Sequence, residues 1–207
     1  SQFRSDGLFR NLGGGRFENI TERAGVGLAD RISVAAAFGD IDNDGDPDLF
    51  VTSVRTGNVL LENDGTGRFK DISEAAGVAH VGHSSGSVFF DYDRDGLLDL
   101  FVTNVGVYTQ DQRGREGYYV GMPDAFSGHL KPERYERSML YRNLGGNRFA
   151  DVTEQTGLLD AGWNGDATIM DFNRDGFPDL YLPNMQGDDH YWENQGGERF
   201  VEKTAED

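Results

Sequence analysis

The 207-residue chain contains no cysteine, which excludes both disulfide bonds and thiolate metal sites. It also has no apolar stretch long enough to cross a membrane, so no membrane insertion is predicted. Basic residues are scarce, since 19 Lys and Arg stand against 36 Asp and Glu, giving a formal net charge of −17. Such a surface should repel nucleic acid and anionic membranes, which leaves cations and basic proteins as the expected partners.

The remaining composition indicates a folded protein rather than a disordered acidic tail. Glycine is frequent, with 29 residues, and aromatic residues make up 12% of the chain. The length predicts a single domain that spans residues 1–207. The first residues, Ser1-Gln2-Phe3, do not resemble a signal peptide, so the signal of an exported protein is expected to have been removed.

A ten-residue phrase recurs through the chain and defines an internal repeat. The phrase LFRNLGGGRF occupies residues 8–17 and returns at 60–69, at 140–149 and, more loosely, at 191–200. Its final Phe residues are separated by steps of 52, 80 and 51 residues, so the middle copy carries an insertion, placed at 105–137. That insertion is interpreted either as a loop that orders against a partner or as a simple packed excursion.

Each repeat contains four short β-rich runs separated by turns, which lie at 33–38, 49–54, 59–62 and 68–72 in the first copy. Four strands per repeat are typical of a propeller blade, so the predicted fold is all-β, a β-propeller or a partial propeller. The outer strand pair occurs four times and the inner pair three times, which predicts about three and a half blades. The half-blade at 8–21 then belongs to a longer propeller or pairs with something else, such as another copy of the chain.

The first strand of each repeat is predicted to be buried on both faces, between neighbouring blades. It contains Val-Ala-Ala-Ala-Phe at residues 34–38 and Ser-Val-Phe-Phe at 87–90, which are nearly continuous apolar runs. Small residues at this strand would allow the blades to approach each other closely.

An Asp-rich loop lies between the two inner strands of each complete repeat. Each loop carries oxygen-bearing side chains at positions 1, 3, 5 and 9, and a Gly at position 6 permits a sharp turn. Calcium takes six to eight oxygen ligands, and by analogy with an EF-hand loop the backbone carbonyl at position 7 would add one. The predicted ligands are Asp40, Asp42, Asp44, Asp46 and Asp48 in the first loop, Asp91, Asp93, Asp95, Leu97 and Asp99 in the second, and Asp171, Asn173, Asp175, Phe177 and Asp179 in the third.

Three loops with the same spacing favour three calcium sites over ordinary hairpin turns, because turn formation alone does not require Asp at these positions. The loops lack the Glu that an EF-hand has at position 12, so a helix–loop–helix interpretation fails. Magnesium is disfavoured by its near-octahedral geometry, and soft metals are disfavoured by the all-oxygen ligand set. Because crowded carboxylates repel one another, calcium is expected to be structural and to stabilise the fold.

The pattern Asp-x-Asp-x-Asp-Gly-x-x-Asp before an apolar strand resembles the FG-GAP and VCBS repeats of calcium-binding β-propellers, as in integrin α-subunit heads. The phrases at 140–143 and 149–154 are more similar to those of the cartilage acidic protein group and its bacterial relatives. This resemblance implies a secreted, extracellular or cell-surface protein. Such propellers serve adhesion, ligand binding or scaffolding, so the resemblance alone does not define the activity.

Two hypotheses for the function come from different classes. The first is a non-enzymatic, calcium-stabilised protein that acts in adhesion or assembly, binding a protein partner or itself through the unpaired half-blade. The second is a secreted metal-dependent enzyme with a His and Asp site, unless its four histidines are unrelated surface residues. No Gly-x-Ser-x-Gly elbow, phosphate-binding loop or Cys nucleophile supports it. Its candidate residues are His80, His83, His129 and His190.

Overall fold

The computed structural model describes residues 6–115 and 117–204, and β-strands dominate it. Three four-stranded antiparallel sheets follow one another along the chain, and a two-stranded hairpin precedes them. Half a blade followed by three complete blades is the arrangement that the repeats predict, so the all-β partial propeller is confirmed. None of the helices in these two ranges is long and apolar enough to cross a membrane.

The half-blade and the first complete blade each end in a short helix. The half-blade consists of β1 (Phe9–Gly13), β2 (Arg16–Asn19) and the helix α1 (Thr21–Ala24). The first blade contains β3 (Ser33–Gly39), β4 (Asp48–Ser53), β5 (Val59–Asn63) and β6 (Phe69–Asp71), followed by α2 (Ser73–Ala76). Gly25 and Gly77 end the two helices at φ values of 78° and 81°, a left-handed conformation that glycine adopts at little cost.

The second and third blades repeat this strand order. The second blade contains β7 (Ser84–Phe90), β8 (Asp99–Asn104), β11 (Met139–Asn143) and β12 (Phe149–Asp151). The third contains β13 (Thr168–Met170), β14 (Asp179–Leu182), β15 (His190–Gln195) and β16 (Arg199–Glu202). In every blade the last residue of the first strand pairs with the Asp that opens the second strand, so the three Asp-rich loops sit at the same register.

Residues 105–137 leave the second blade between β8 and β11. They form a hairpin of β9 (Thr109–Arg113) and β10 (Tyr119–Gly121) and two short 3₁₀ helices, Ala125–Leu130 and Pro132–Arg134. The carboxylate of Asp124 pairs with both Lys131 and Arg134, which ties the two helices together. The backbone N–H of Val107 donates to the Arg134 carbonyl at 2.7 Å, so the segment closes on itself before it re-enters the sheet.

The hydrophobic core consists of three clusters, one at each junction between consecutive blades. The strand β8 contributes to two of them, because Leu100 and Val102 pack towards the first blade and Phe101 packs towards the third. Full burial of one such side chain contributes about 1.5–3 kcal/mol. The packing of each blade against its neighbours is therefore the main source of stability.

The prediction that the first strand of a repeat is buried on both faces is wrong for β13, where Thr168 and Met170 are exposed, and for β3. The side chains of β3 alternate between partial burial and exposure, and Val34 and Phe38 remain 51% and 54% exposed. The reason is that β3 faces the half-blade, which in the described part of the chain has no inner strands to cover it. The strands buried along their whole length are β4 and β8, the second strands of their blades.

Candidate metal centre

The loops that join β3 to β4, β7 to β8 and β13 to β14 adopt one shared backbone conformation. Position 6 is a left-handed Gly in each, with φ values between 90° and 94°. Position 4 is also left-handed although it is never Gly, and such a conformation is uncommon for other residues. The residues at position 4 are Asn43, Arg94 and Arg174, with φ values of 61°, 61° and 63°.

Side-chain carboxylates hold this conformation by accepting backbone N–H groups. At position 1 of the first loop, Asp40 accepts hydrogen bonds from Asp44 at 3.2 Å and from Gly45 at 3.0 Å. Asp91 and Asp171 accept the corresponding pairs at 2.9 to 3.2 Å. The carboxylate at position 5 accepts the N–H of position 7 at 2.8 to 3.0 Å in all three loops. The acidic side chains are thus oriented by the fold of the loop itself.

The Asp at position 9 is buried and anchors each loop to its sheet. In the first blade, Asp48 accepts the N–H of Ile41 at 3.1 Å and that of Asn63, in β5, at 2.8 Å. Asp99 and Asp179 make the same two hydrogen bonds in their own blades, at 2.8 to 3.1 Å. The position-9 carboxylate therefore joins the loop to the third strand of the blade.

Burial makes the ionised form of several of these carboxylates costly. Burial raises the pKa of Asp99 to about 7. The charges of Asp93 and Asp95 also raise this pKa, whereas the backbone hydrogen bonds that Asp99 accepts lower it. Burial also raises the pKa of Asp48 and that of Asp93, the latter in spite of the nearby Arg142 guanidinium. A cation held among these oxygens would offset the cost of keeping them ionised.

The chemistry and spacing of the donor atoms fit a hard cation. Asp40, Asp42 and Asp48 each offer a carboxylate oxygen, and the three atoms lie within 4.8 Å of one another. The second loop has the same group, made of Asp91, Asp93 and Asp99, and within residues 6–115 and 117–204 these are the two groups of this kind. In the third loop Asn173 replaces the middle carboxylate with an amide oxygen. Dense oxygen ligands of this type suit calcium.

The other predicted ligands do not belong to these two groups. Asp44, Asp95 and Asp175 lie in the loops, where each carboxylate accepts the N–H of position 7. The carboxylate of Asp46 lies beside Gly65 in a neighbouring turn, where a side chain on that glycine would come within 2.7 Å of it. That the backbone carbonyls of Asp46, Leu97 and Phe177 bind the ion stays a prediction.

A comparison with protein families shows where these repeats belong. The model of the FG-GAP-like repeat matches residues 2–51, 40–102 and 121–182, which together make up most of the chain. The chain belongs to the FG-GAP-like repeat family. No curated protein matches it. One matching solved structure is an Agrocybe aegerita lectin, described for its specific recognition of non-reducing terminal N-acetylglucosamine. Its sequence is 16% identical to this chain, and the TM-score is 0.36. The match covers 97% of this chain and 60% of the lectin chain.

One Asn of each FG-GAP-like repeat supports the loop and was not predicted from the sequence. Asn143 donates through Nδ2 to the carbonyls of Ile41 (2.7 Å) and Leu98 (3.0 Å), which joins the first and second loops. Asn194 repeats this contact one blade later, with the carbonyls of Tyr92 at 2.9 Å and Pro178 at 3.1 Å. Both residues are fully buried. The signal was the recurrence of an Asn at the same place in the ten-residue phrase, to which the sequence analysis assigned no role.

The loops of consecutive FG-GAP-like repeats also contact each other directly through position 4. Asn43 donates through Nδ2 to the carbonyl of Gly96 in the second loop, at 3.0 Å. The Arg94 guanidinium lies over the ring of Phe177 in the third loop, 5.4 Å from its centroid. The left-handed conformation at position 4 therefore directs a side chain into the next loop.

The four histidines are distributed over two places. His83 is buried, with Nδ1 2.9 Å from Glu136 Oε1 and Nε2 2.8 Å from Thr109 Oγ1, and the charge of the same Glu136 acts on His80. His129 and His190 line a separate cavity of about 270 Å³, and His190 pairs with the buried Asp160. In the described ranges, no histidine belongs to a group of three side chains that could hold a metal. The enzyme hypothesis therefore gains no support from the geometry.

Proposed function

We propose that this protein is a non-enzymatic, extracellular interaction module whose three Asp-rich loops bind calcium as a structural ion. The observation that carries the proposal is the pair of carboxylate groups, Asp40, Asp42 and Asp48 and their equivalents in the second loop, with ligand atoms within 4.8 Å. Calcium would supply the positive charge that buried, mutually repelling carboxylates need. The third loop would bind more weakly, because Asn173 removes one charge.

Thermal unfolding with excess calcium, and then with a chelator, tests this proposal. A site filled at 100 times its Kd contributes about 2.7 kcal/mol. In a chain of this length that raises the Tm by roughly 5 °C or more. Asp42→Asn and Asp93→Asn should each reduce the gain in Tm, whereas Glu74→Gln, on the exposed side of α2, should not. A Tm that is the same in calcium and in chelator would refute structural calcium.

The second part of the proposal is that the chain self-associates at its unpaired half-blade, so that another copy of the chain covers the open side of the first blade. Phe38 and Phe89 occupy equivalent positions, paired with Leu49 in β4 and Leu100 in β8. Phe89 packs against the first blade, with its ring 6.4 Å from that of Phe50. Phe38 lies on the corresponding face of its own blade, where the half-blade leaves it exposed.

A matching open surface lies at the other end of the array. Phe172, at position 2 of the third loop, is 47% exposed, whereas the equivalent Ile41 and Tyr92 are buried at the next junction. The two exposed surfaces are thus the two halves of a junction that occurs twice inside the chain. Association of copies through them would bury both.

Light scattering over a concentration series in calcium tests this association. The mass should rise with concentration, and Phe38→Ser should shift the rise to higher concentration because it removes the apolar contact. Phe126→Ser is a suitable control, since Phe126 is an exposed apolar residue of the insertion, in the second blade. A mass that stays monomeric at every concentration would contradict the proposed self-association.

Membership of the cartilage acidic protein group, and secretion or display on the cell surface, are part of the same proposal. They are supported by the phrases at 140–143 and 149–154 and by the proposed calcium sites, since weak calcium sites of extracellular modules are filled outside the cell. Detection of the native protein in the medium or on intact cells would test the location.

A further inference from the structure

A basic side chain reaches into the second Asp-rich loop. Arg142, in β11, places Nη2 2.7 Å from Oδ2 of Asp93 and 3.2 Å from Oδ2 of Asp95. These carboxylates stand at positions 3 and 5 of the loop. Asp93 is only 12% exposed, so the ion pair is partly shielded from water. The guanidinium therefore uses carboxylate oxygens that a bound cation would also need.

The equivalent position carries the opposite charge in the other two blades. Arg142 directly precedes Asn143, the residue whose N–H donates to the position-9 Asp. Glu62 and Glu193 stand directly before the corresponding asparagines of the first and third blades. Strand pairing confirms the equivalence, because Leu61, Tyr141 and Trp192, one residue earlier, face Leu49, Leu100 and Leu180.

We infer that Arg142 is an internal counter-ion of the second loop, which calcium must displace, so that this loop binds calcium more weakly than the first. The inference rests on the proposed function and specifies how the three sites differ. Calcium affinity depends on the charge of the ligand set. The first loop offers five Asp residues at positions 1, 3, 5, 7 and 9. In the second loop, Arg142 contacts two carboxylates and offsets one negative charge. A partly shielded ion pair of this kind should weaken calcium binding by several-fold to about tenfold.

The same contact gives Arg142 a stabilising role when calcium is removed. Without a cation, the crowded carboxylates of the second loop repel one another, and the guanidinium reduces that repulsion. Removing Arg142 should therefore have opposite effects on the two forms of the protein. It should lower the Tm in chelator and raise the gain in Tm that calcium produces.

Calorimetric titration with calcium, beside thermal unfolding in chelator, tests the inference with reciprocal substitutions. Arg142→Glu gives the second loop the residue of the other blades, and it should strengthen one binding step by about tenfold while lowering the Tm in chelator. Glu193→Arg should weaken binding at the third loop. Arg10→Gln is the matched control, since Arg10 holds the same position in the half-blade and pairs with Glu18 instead.

The possible outcomes separate this inference from the proposed function. If the wild type binds calcium but Arg142→Glu changes no binding step, Arg142 is not a competitor and the inference is wrong. If Arg142→Glu lowers the Tm by the same amount in calcium and in chelator and leaves the calcium affinity unchanged, Arg142 is only a structural contact. That result would also overturn the inference. If neither protein binds calcium, the proposed function itself fails.

Discussion

At the scale of single residues, Glu136 is one of the side chains that connect the insertion to the rest of the fold. Its carboxylate accepts the backbone N–H of His83 at 2.6 Å and lies 2.9 Å from the imidazole Nδ1. Burial by itself would raise the pKa of Glu136. The hydrogen bonds from His83, together with the charges of His83 and His80, outweigh burial and hold the pKa below its ordinary value of 4.5.

This shift predicts a loss of stability in acid. Because the folded pKa of Glu136 is lower than the unfolded one, its contribution is complete above pH 4.5 and disappears as the pH falls through the folded value. The free energy of unfolding in urea should therefore decrease more steeply between pH 5 and 3 in the wild type than in Glu136→Gln. At neutral pH the substitution should cost about 1–3 kcal/mol, because it replaces a charged acceptor.

Both proteins contain the same other carboxylates, so the difference between their two pH profiles isolates Glu136. Profiles that stay parallel from pH 5 to 3 would show that Glu136 does not stabilise the fold through its charge.

At the scale of strands, close packing between neighbouring blades depends on Gly39. A Cβ at this position would lie 2.8 Å from ring atoms of Phe89 in β7, a distance that real Cβ atoms do not adopt. Gly39 ends β3 and Phe89 belongs to the next blade, so the glycine sets how closely the first and second blades approach. The expectation that small residues allow close approach holds at this strand.

Gly39→Ala should therefore destabilise the protein by about 1–3 kcal/mol, as overpacking of a core does. Gly121→Ala, in β10, is the control, because nothing lies within 4 Å of the Cβ that it would add. Urea unfolding should show a lower midpoint for Gly39→Ala and little change for Gly121→Ala. Equal effects of the two substitutions would contradict the close junction at Gly39.

The sequence predicted those elements that depend on local spacing. The strands β3 to β6 begin and end within about two residues of the predicted runs, since turn residues and alternating apolar residues mark them directly. Contacts between distant repeats were not predicted. The exposure of Phe38, the hydrogen bonds of Asn143 to two loops and the ion pair of Arg142 with Asp93 all depend on which blades become neighbours. Spacing within one repeat carries no information on such contacts.

At the scale of the whole molecule, three separate core clusters make the chain a linear array of neighbours. Arrays of this kind gain stability from each repeat and from each junction, so their ends are the least stable parts. The half-blade has one junction only, and all residues of β1 are exposed. The strands β4 and β8 each contribute to two clusters and are buried throughout.

Amide hydrogen exchange should therefore be slowest in β4 and β8 and fastest in β1 and β2, when measured at concentrations where the protein is monomeric. The difference should amount to several kcal/mol in the free energy of opening, because β8 opens only when two junctions separate. Equal protection of β1 and β8 would indicate one cooperative unit instead of an array.

The contacts between loops extend this linear order to calcium itself. Asn43 connects the first loop to Gly96 in the second, and Arg94 connects the second to Phe177 in the third. An ion that fixes one loop also fixes the side chain that this loop extends to its neighbour. Calcium binding at adjacent loops should therefore be cooperative, and thermodynamic linkage makes that coupling reciprocal. The first and third loops would then communicate only through the second, where Arg142 makes occupancy harder to achieve than in the first loop. This middle loop would govern whether the array responds to calcium in one step or in stages.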